Sequence, residues 1–439
     1  MSFKLLTQIE SRGVFSDDAL NSREVGRLEA RDRHLTTEIV YGTLRWQAAL
    51  DFILSGLSSR PWEDVTPGAR ILLRMSLYQM WQMDRMPDHA IVNDAVELAK
   101  RELGQGVDRY SNGILRHLTR TRPWKSKEFL REAPAWARVS LPQWLWERWS
   151  ERYGAQNAVE FALALNRPPA AGFRYSEIQE KAVGSPSEYV PSDLVPGACI
   201  RIGSGKNPDG GEGGPAASHA QDEASQLIPH LLGPAGHGWK VWDSCAAPGG
   251  KSRILGMLCG DSGHVTASDV RWDRVRRMAG FLRDSGQRGI DAIVADASRQ
   301  PPFRARFDAV LADVPCSGLG TLRRNPEIKW RFKPENFPSL QQTQKEIIRS
   351  VSESVRPGGR LLYSTCSTEP EENEQVVLSF LETHADFTLV RPSHPPGIEK
   401  WICPDAMVRT FPGARLWDGF FAALLVRRGA DSQFPIPNS

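Results

Sequence analysis

The chain has 439 residues, 40% of them hydrophobic and 24% charged, which is the profile of a soluble globular protein of two or three domains. A formal net charge of +3 neither demands nor excludes a nucleic-acid partner. No apolar run approaches the roughly 18 residues of a membrane helix, so no membrane association is expected.

Met1 to Gly13 mixes Lys4, Glu10 and Arg12 with apolar residues and reads as an amphipathic helix without the apolar core of a signal peptide. Residues 1–125 read as all-helical throughout. Ala69 to Met83 is apolar on most faces, as suits a central buried helix. In Ile91 to Lys100, apolar residues recur at helical spacing with charges between them, and Pro61, Pro67-Gly68 and Pro87-Asp88 punctuate the helices. Residues 126–215 form a less regular middle. There Trp144, Trp146 and Trp149 are expected to pack a helix against a neighbour, and Gly203 to Pro215 reads as a flexible loop or linker. From about residue 239, short apolar segments alternate with helical stretches: Val241-Trp242, His264 to Ser268, Ala292 to Ala295, Phe307 to Ala312 and Arg360 to Ser364, with Phe420 to Val426 near the end. This is the pattern of a doubly wound α/β sheet, here occupying residues 216–430.

The strand ends carry the chemistry. The first runs from Asp243 into Cys245-Ala246-Ala247-Pro248-Gly249-Gly250-Lys251, the next two end at Asp269 and Asp296, the fourth ends at Asp313 with Cys316 just beyond, and the fifth ends at Thr365-Cys366. Ligands of open α/β sheets bind beyond the carboxyl ends of the strands, and acids scattered over a surface would not collect at each of them. The glycines of Gly249-Gly250 follow a strand and open a helix, where the backbone can approach a ligand and the helix N-terminus favours an anion such as a carboxylate. Asp269 stands 19 residues after Gly250, near the spacing at which an acid meets ribose hydroxyls. The turn is not GxGxxG, so a nucleoside cofactor with an amino-acid tail fits better than a nicotinamide one. The six cysteines show no close pairing of the kind that binds zinc, so no metal and a reduced, cytoplasmic compartment are expected.

Together, Asp243 to Lys251, Asp313-Val314-Pro315-Cys316-Ser317-Gly318, Arg323 to Trp330 and Tyr363-Ser364-Thr365-Cys366-Ser367 resemble the Sun (RsmB-type) family of RNA cytosine methyltransferases, and Gln221 to Ser225 and Asp418 to Phe421 match it as well. Val314 replaces the commoner alanine, a small change. The Gly-rich stretch at 203–215 departs from the short, regular approach to Gln221-Asp222 usual in the family. The N-terminal part, with Tyr41 to Trp46 and Pro87 to Asn93, looks like the NusB-like helical domain of the family's 16S rRNA member. The resemblance implies a Rossmann-like class I methyltransferase domain after a NusB-like domain, S-adenosylmethionine as cofactor and small-subunit ribosomal RNA as partner; a monomer is expected.

In that chemistry a thiolate adds to carbon 6 of cytosine, carbon 5 then attacks the sulfonium methyl, and loss of the carbon 5 proton expels the cysteine. DNA cytosine methyltransferases use the Pro-Cys cysteine, here Cys316, whereas the Sun family uses the Thr-Cys cysteine, here Cys366. The resemblance therefore makes Cys366 the nucleophile and Cys316 the group that assists release. It also makes Asp313 the partner of the cytosine ring nitrogen or amino group, and Cys245, Ala246, Ala247, Pro248, Gly249, Gly250, Lys251, Asp269, Asp296 and Asp313 the cofactor site. Arg323, Arg324, Lys329 and Trp330 are expected to bind RNA phosphate and stack on a base. A free thiol is only a few per cent thiolate at neutral pH, so a local donor or positive charge beside Cys366 is expected, which the sequence does not name.

Overall fold

The structure is a computed structural model and describes residues 1–83, 86–126, 132–169, 172–174, 189–201, 221–300, 303, 306–411 and 417–429. The Gly-rich stretch at 203–215 lies outside these residues. The chain divides into a helical unit, Met1–Pro168 with Leu322–Arg331, and a second unit, Pro169–Thr321 with Phe332–Ser439. The helical unit thus runs past the expected boundary at 125, and the decapeptide 322–331 belongs to it. Among the described residues no helix is long and apolar enough to cross a membrane.

The helical unit is built around α6 (Pro67–Gln82), following α1 (Ser2–Arg12), α2 (Ser16–Leu20), α3 (Arg23–Gly26), α4 (Ala30–Arg45) and α5 (Gln47–Ser55). Pro67 opens α6, where its missing N–H costs no hydrogen bond and its fixed φ suits the first turn. Ile71, Leu72, Leu73, Leu77 and Tyr78 bury almost the whole circumference of α6, so its flanking helices must be amphipathic. α7 (Asp88–Glu102) turns Ile91, Val92, Ala95 and Ala99 inward, and α8 (Val107–Thr121) turns Ile114, Leu115 and Leu118 inward. Arg74, buried among these helices, is held by Asp51 at 2.6 and 2.8 Å and by Glu10 at 3.0 and 3.1 Å. Trp149 lies buried on the helix Gln143–Tyr153, while Trp144 and Trp146 are half-buried there.

The second unit opens with a small antiparallel sheet of β1 (Gly172–Arg174), β2 (Tyr189–Pro191) and β3 (Ala198–Arg201), in the order β1-β3-β2. Its main sheet has β4 (Lys240–Asp243), β5 (His264–Asp269), β6 (Ile290–Val294), β7 (Phe307–Asp313), β8 (Val355–Thr365), β9 (Phe387–Val390), β10 (Val408–Arg409) and β11 (Phe421–Arg427). The order is β10-β11-β8-β7-β4-β5-β6, with β9 also paired to β11. β4 to β8 are mutually parallel and β11 runs antiparallel to β8. The chain enters at β4, winds outward to β6, then returns to the other side of β4 through β7. That reversal opens a crevice at the carboxyl ends of β4 and β7, which is where ligands of such sheets sit. Apolar layers cover both faces. Leu227, Leu255, Leu311 and Leu362 lie in one layer, and Trp242, Val310, Ile348 and Val377 in the other. Strands buried on both faces are why the sequence shows continuous apolar runs rather than alternation.

Candidate active site

The residues at the crevice belong to the second unit and descend directly from the strand ends. β4 delivers Asp243 into the turn 244–249, tied down by Ala246 N–H donating to the Ser268 carbonyl at 2.7 Å and Gly249 N–H donating to the Ala246 carbonyl at 2.8 Å. Gly249 has φ +109°, and a Cβ there would stand 3.0 Å from Met278 Cγ, so both conformation and space favour glycine. The helix Gly250–Cys259 starts here with no side-chain cap. Asp243 is fully buried. Ser252 donates to its Oδ2 at 2.7 Å while Oδ1 has no protein partner, and burial pushes the carboxyl up to about 7. Burial raises the Cys245 thiol as well.

Asp269 ends β5 nearly buried and accepts Arg271 N–H at 2.9 Å, with the Arg274 guanidinium 3.8 Å away. Asp296 accepts both Ser298 N–H at 3.0 Å and the Ser298 hydroxyl at 2.7 Å, and pairs with Arg299 at 3.1 Å. The orphan oxygen of Asp243, the uncapped helix start and the strand-end acids together form a set suited to a nucleoside bearing an amino-acid tail, because they offer both acceptors for hydroxyl or ammonium donors and a helix N-terminus for a carboxylate.

Between β7 and β8 the reactive groups converge. Lys251 Nζ donates to Asp313 Oδ2 at 2.7 Å, and Ser364 Oγ donates to Asp313 Oδ1 at 2.7 Å. The ammonium also stands 5.2 Å over the Phe420 ring. Burial works against charge on Lys251, but Asp313, Cys366 and Asp243 outweigh it and the lysine pKa is raised. Lys251 thus stays charged beside Asp313 and close to Cys366. Cys316 Sγ and Cys366 Sγ lie 3.1 Å apart. The hydrogen bond to Cys366 is the first cause, burial the second and the charge of Cys366 the third that push the Cys316 thiol well above its ordinary range. The two loops interlock through backbone: Gly320 N–H donates to the Cys366 carbonyl at 2.9 Å and Gly419 N–H to the Gly320 carbonyl at 2.8 Å. Among the described residues no group of His, Cys, Asp and Glu could hold a metal ion.

The four residues expected to meet RNA are placed differently. They lie on the decapeptide 322–331 of the helical unit, and two are interior. Arg323 is buried and donates to the Pro168 carbonyl at 3.1 Å, while its own carbonyl accepts from Arg45 at 3.0 Å. Lys329 is 1% exposed, and its Nζ reaches the Arg45 carbonyl at 2.8 Å, the Ser140 carbonyl at 2.7 Å and Asn166 Oδ1 at 3.2 Å. Trp330 donates its indole N–H to the Leu44 carbonyl at 2.7 Å, and Arg324 is half-buried. Carbonyls of the helical unit take the donors that a solvent-facing loop would have offered to phosphate. Ser364, Phe420 and Glu372 are residues in or behind the site that sequence reasoning gave no role, while Asp243 was placed at its strand end but given no specific function. The motif around Asp418-Gly419-Phe420-Phe421 was the available signal for Phe420.

Residues 229–426 match the family model "16S rRNA methyltransferase RsmB/F", and residues 1–120 match the NusB family. The probable ribosomal RNA small subunit methyltransferase B of Synechocystis is 30% identical over 97% of this chain and 98% of its own. The chain belongs to the RsmB/F methyltransferase family. The protein of the same description from Bacillus subtilis is likewise 30% identical, over 98% of each chain. Among solved structures, the crystal structure of PH0851 is similar, with 26% identity, a TM-score of 0.78, and coverage of 97% of this chain and 96% of that one. Membership of this methyltransferase family assigns S-adenosylmethionine as cofactor, and the donor set at the β4 and β5 ends fits it.

Proposed function

We propose that this protein methylates carbon 5 of a cytosine in small-subunit ribosomal RNA, with Cys366 as covalent nucleophile. The observation that carries the reading is the sulfur pair at 3.1 Å, set beside the Lys251–Asp313–Ser364 triplet at the crevice. The substrate class rests on the relatives, which are described as methyltransferases of small-subunit ribosomal RNA.

S-adenosylmethionine supplies an electrophilic sulfonium methyl. Asp243 and Asp269 would hold its polar groups, and the N-terminus of helix Gly250–Cys259 its carboxylate. The Cys366 thiolate bonds to carbon 6 of the cytosine. Asp313, aimed by Lys251 and Ser364, hydrogen-bonds the ring nitrogen or amino group and steadies the charge that develops there. Carbon 5 takes the methyl, loses its proton, and the carbon–sulfur bond breaks. As a thiolate, Cys316, whose sulfur lies 3.1 Å from that of Cys366, would take that proton and so assist release of the product. A target base must leave its stack to reach the crevice, at a cost of about a few kcal/mol that is least in single-stranded RNA.

The test uses full-length protein, ribosomal RNA and S-adenosylmethionine, with mass spectrometry of the product nucleoside. Cys366→Ala should abolish formation of 5-methylcytidine, and Cys316→Ala should accumulate an RNA–protein adduct on denaturing gels. Full activity of Cys366→Ala, or an adduct in that variant, would overturn the assignment.

A further inference from the structure

Each site cysteine is followed by a serine, and both serines reach the same carboxylate. Glu372 lies six residues beyond Cys366 and is fully buried. Its Oε1 accepts the Ser317 N–H at 2.7 Å and Gln344 Nε2 at 3.1 Å, while its Oε2 accepts the Ser317 hydroxyl at 2.5 Å and the Ser367 hydroxyl at 2.5 Å. Gln344 also donates to the Pro315 carbonyl at 3.0 Å, so the residue before Cys316 is drawn into the same knot. The backbone around it is also pinned: the Tyr363 hydroxyl donates to the Glu372 backbone carbonyl at 2.6 Å, and Asn373 Nδ2 donates to the Ser367 backbone carbonyl at 3.0 Å.

Burying a carboxylate is costly, and an apolar side chain of similar volume stabilises a fold as well or better. The gain from a polar knot is a defined geometry, since each of four donors fixes one distance. Here those distances bind the Cys316 loop to the Cys366 loop. We propose that Glu372 is the positioning residue that sets the spacing of the two sulfurs, by holding Ser317 and Ser367 on one carboxylate. It touches neither substrate nor cofactor and acts through the residues that follow each cysteine. This rests on the reading that both cysteines take part in methyl transfer.

The test is Glu372→Gln in the full-length protein, with two readouts. The first is steady-state kinetics with ribosomal RNA and S-adenosylmethionine. The second is the effective concentration of the thiol pair. It is measured by equilibration with oxidised glutathione, which takes up two electrons as Cys316 and Cys366 lose two protons and join. Small misplacements of reacting groups cost about 100-fold in rate. The expected result is a fall in kcat of at least about 30-fold with both KM values changed less than about threefold, and an effective concentration lowered at least about tenfold. A kcat within threefold of wild type, or a kcat loss with an unchanged thiol effective concentration, would overturn the proposal. Should Glu372→Gln fail to fold, the double variant Ser317→Ala/Ser367→Ala removes both hydroxyl donors and is judged by the same outcomes. Cys366→Ala measured alongside separates the two levels. If it is active, the two-cysteine reading fails whatever Glu372 does, and if it is inactive while Glu372→Gln is unimpaired, the positioning role alone fails.

Discussion

Replacing Lys329 with methionine keeps most of the volume of the side chain and removes its nitrogen. Three acceptors then lose their donor: the carbonyls of Arg45 and Ser140 and Oδ1 of Asn166. Leaving a buried polar group unsatisfied costs about 1–3 kcal/mol. The three share one donor and their losses are not additive, so about 2–4 kcal/mol in all is expected. The helical unit, Met1–Pro168 with Leu322–Arg331, is large enough that each kcal/mol moves its melting point by about 2–4 °C. Calorimetry of the full-length Lys329→Met variant should therefore show a transition lowered by roughly 5–15 °C. The difference from wild type should also depend on pH. Burial, then the nearby Arg45 charge, hold the Lys329 pKa well below its ordinary range in the folded state. Between that lowered value and the ordinary lysine value of about 10.4, the unfolded chain binds more protons than the folded one. The stability of the wild type relative to the variant should thus rise with pH across that window, reach its full value above it, and fall as pH drops through it. A phosphate-binding role predicts the opposite pattern: an unchanged melting point, and a salt dependence of RNA binding reduced by about one unit of slope. That pattern, measured by filter binding at several salt concentrations, would refute the packing argument.

Gly320→Ala should lower methyl transfer by more than about tenfold, because a Cβ there would stand 2.0 Å from the Gly419 carbonyl oxygen and 2.8 Å from that of Cys366. A kinetic assay at wild-type activity would show the loops can part without consequence. Asp243→Asn should gain stability over wild type as pH rises. The folded carboxyl, raised by burial to about 7, binds a proton that the unfolded one releases near 3.9. Wild type is therefore favoured below about 4 and loses roughly 1.4 kcal/mol per pH unit up to about 7. Denaturant titrations at pH 4.5 and 7.5 read the difference, and a constant gap would reject the assignment of that shift to Asp243.

The main sheet was legible because strands buried on both faces leave continuous apolar runs, and because each run stops at a polar residue with chemistry to do. β8 begins at Val355, earlier than the expected Arg360, since Arg356-Pro357-Gly358-Gly359 has the composition of a turn while remaining in the strand. β6 is an edge strand with partly exposed residues, and its limits moved by two residues at its start. The strands of the small sheet are three or four residues long and leave no periodicity to read. The cysteine pair could be ranked from motifs, but its distance could not, nor could the identity of Lys251 as the neighbouring cation. The sequence predicts Arg323 and Lys329 at the RNA because charged residues are almost never fully buried without partners. Their partners are carbonyls from residues 45, 140 and 168 and the Asn166 side chain, all far away in sequence. Glu372 stands in the run Glu371-Glu372-Asn373-Glu374, where nothing local separates the one interior carboxylate from its neighbours.

The chain crosses between its two units three times: after Pro168, after Thr321 and after Arg331. A single cut therefore cannot yield two intact halves. An excised fragment starting at residue 169 would carry ten residues whose interior is elsewhere, with Arg323, Glu327 and Lys329 stripped of their enclosure. Any chimaera that exchanges the helical unit for another must exchange this decapeptide with it, because the decapeptide belongs to that unit although it stands 154 residues beyond Pro168 in the chain.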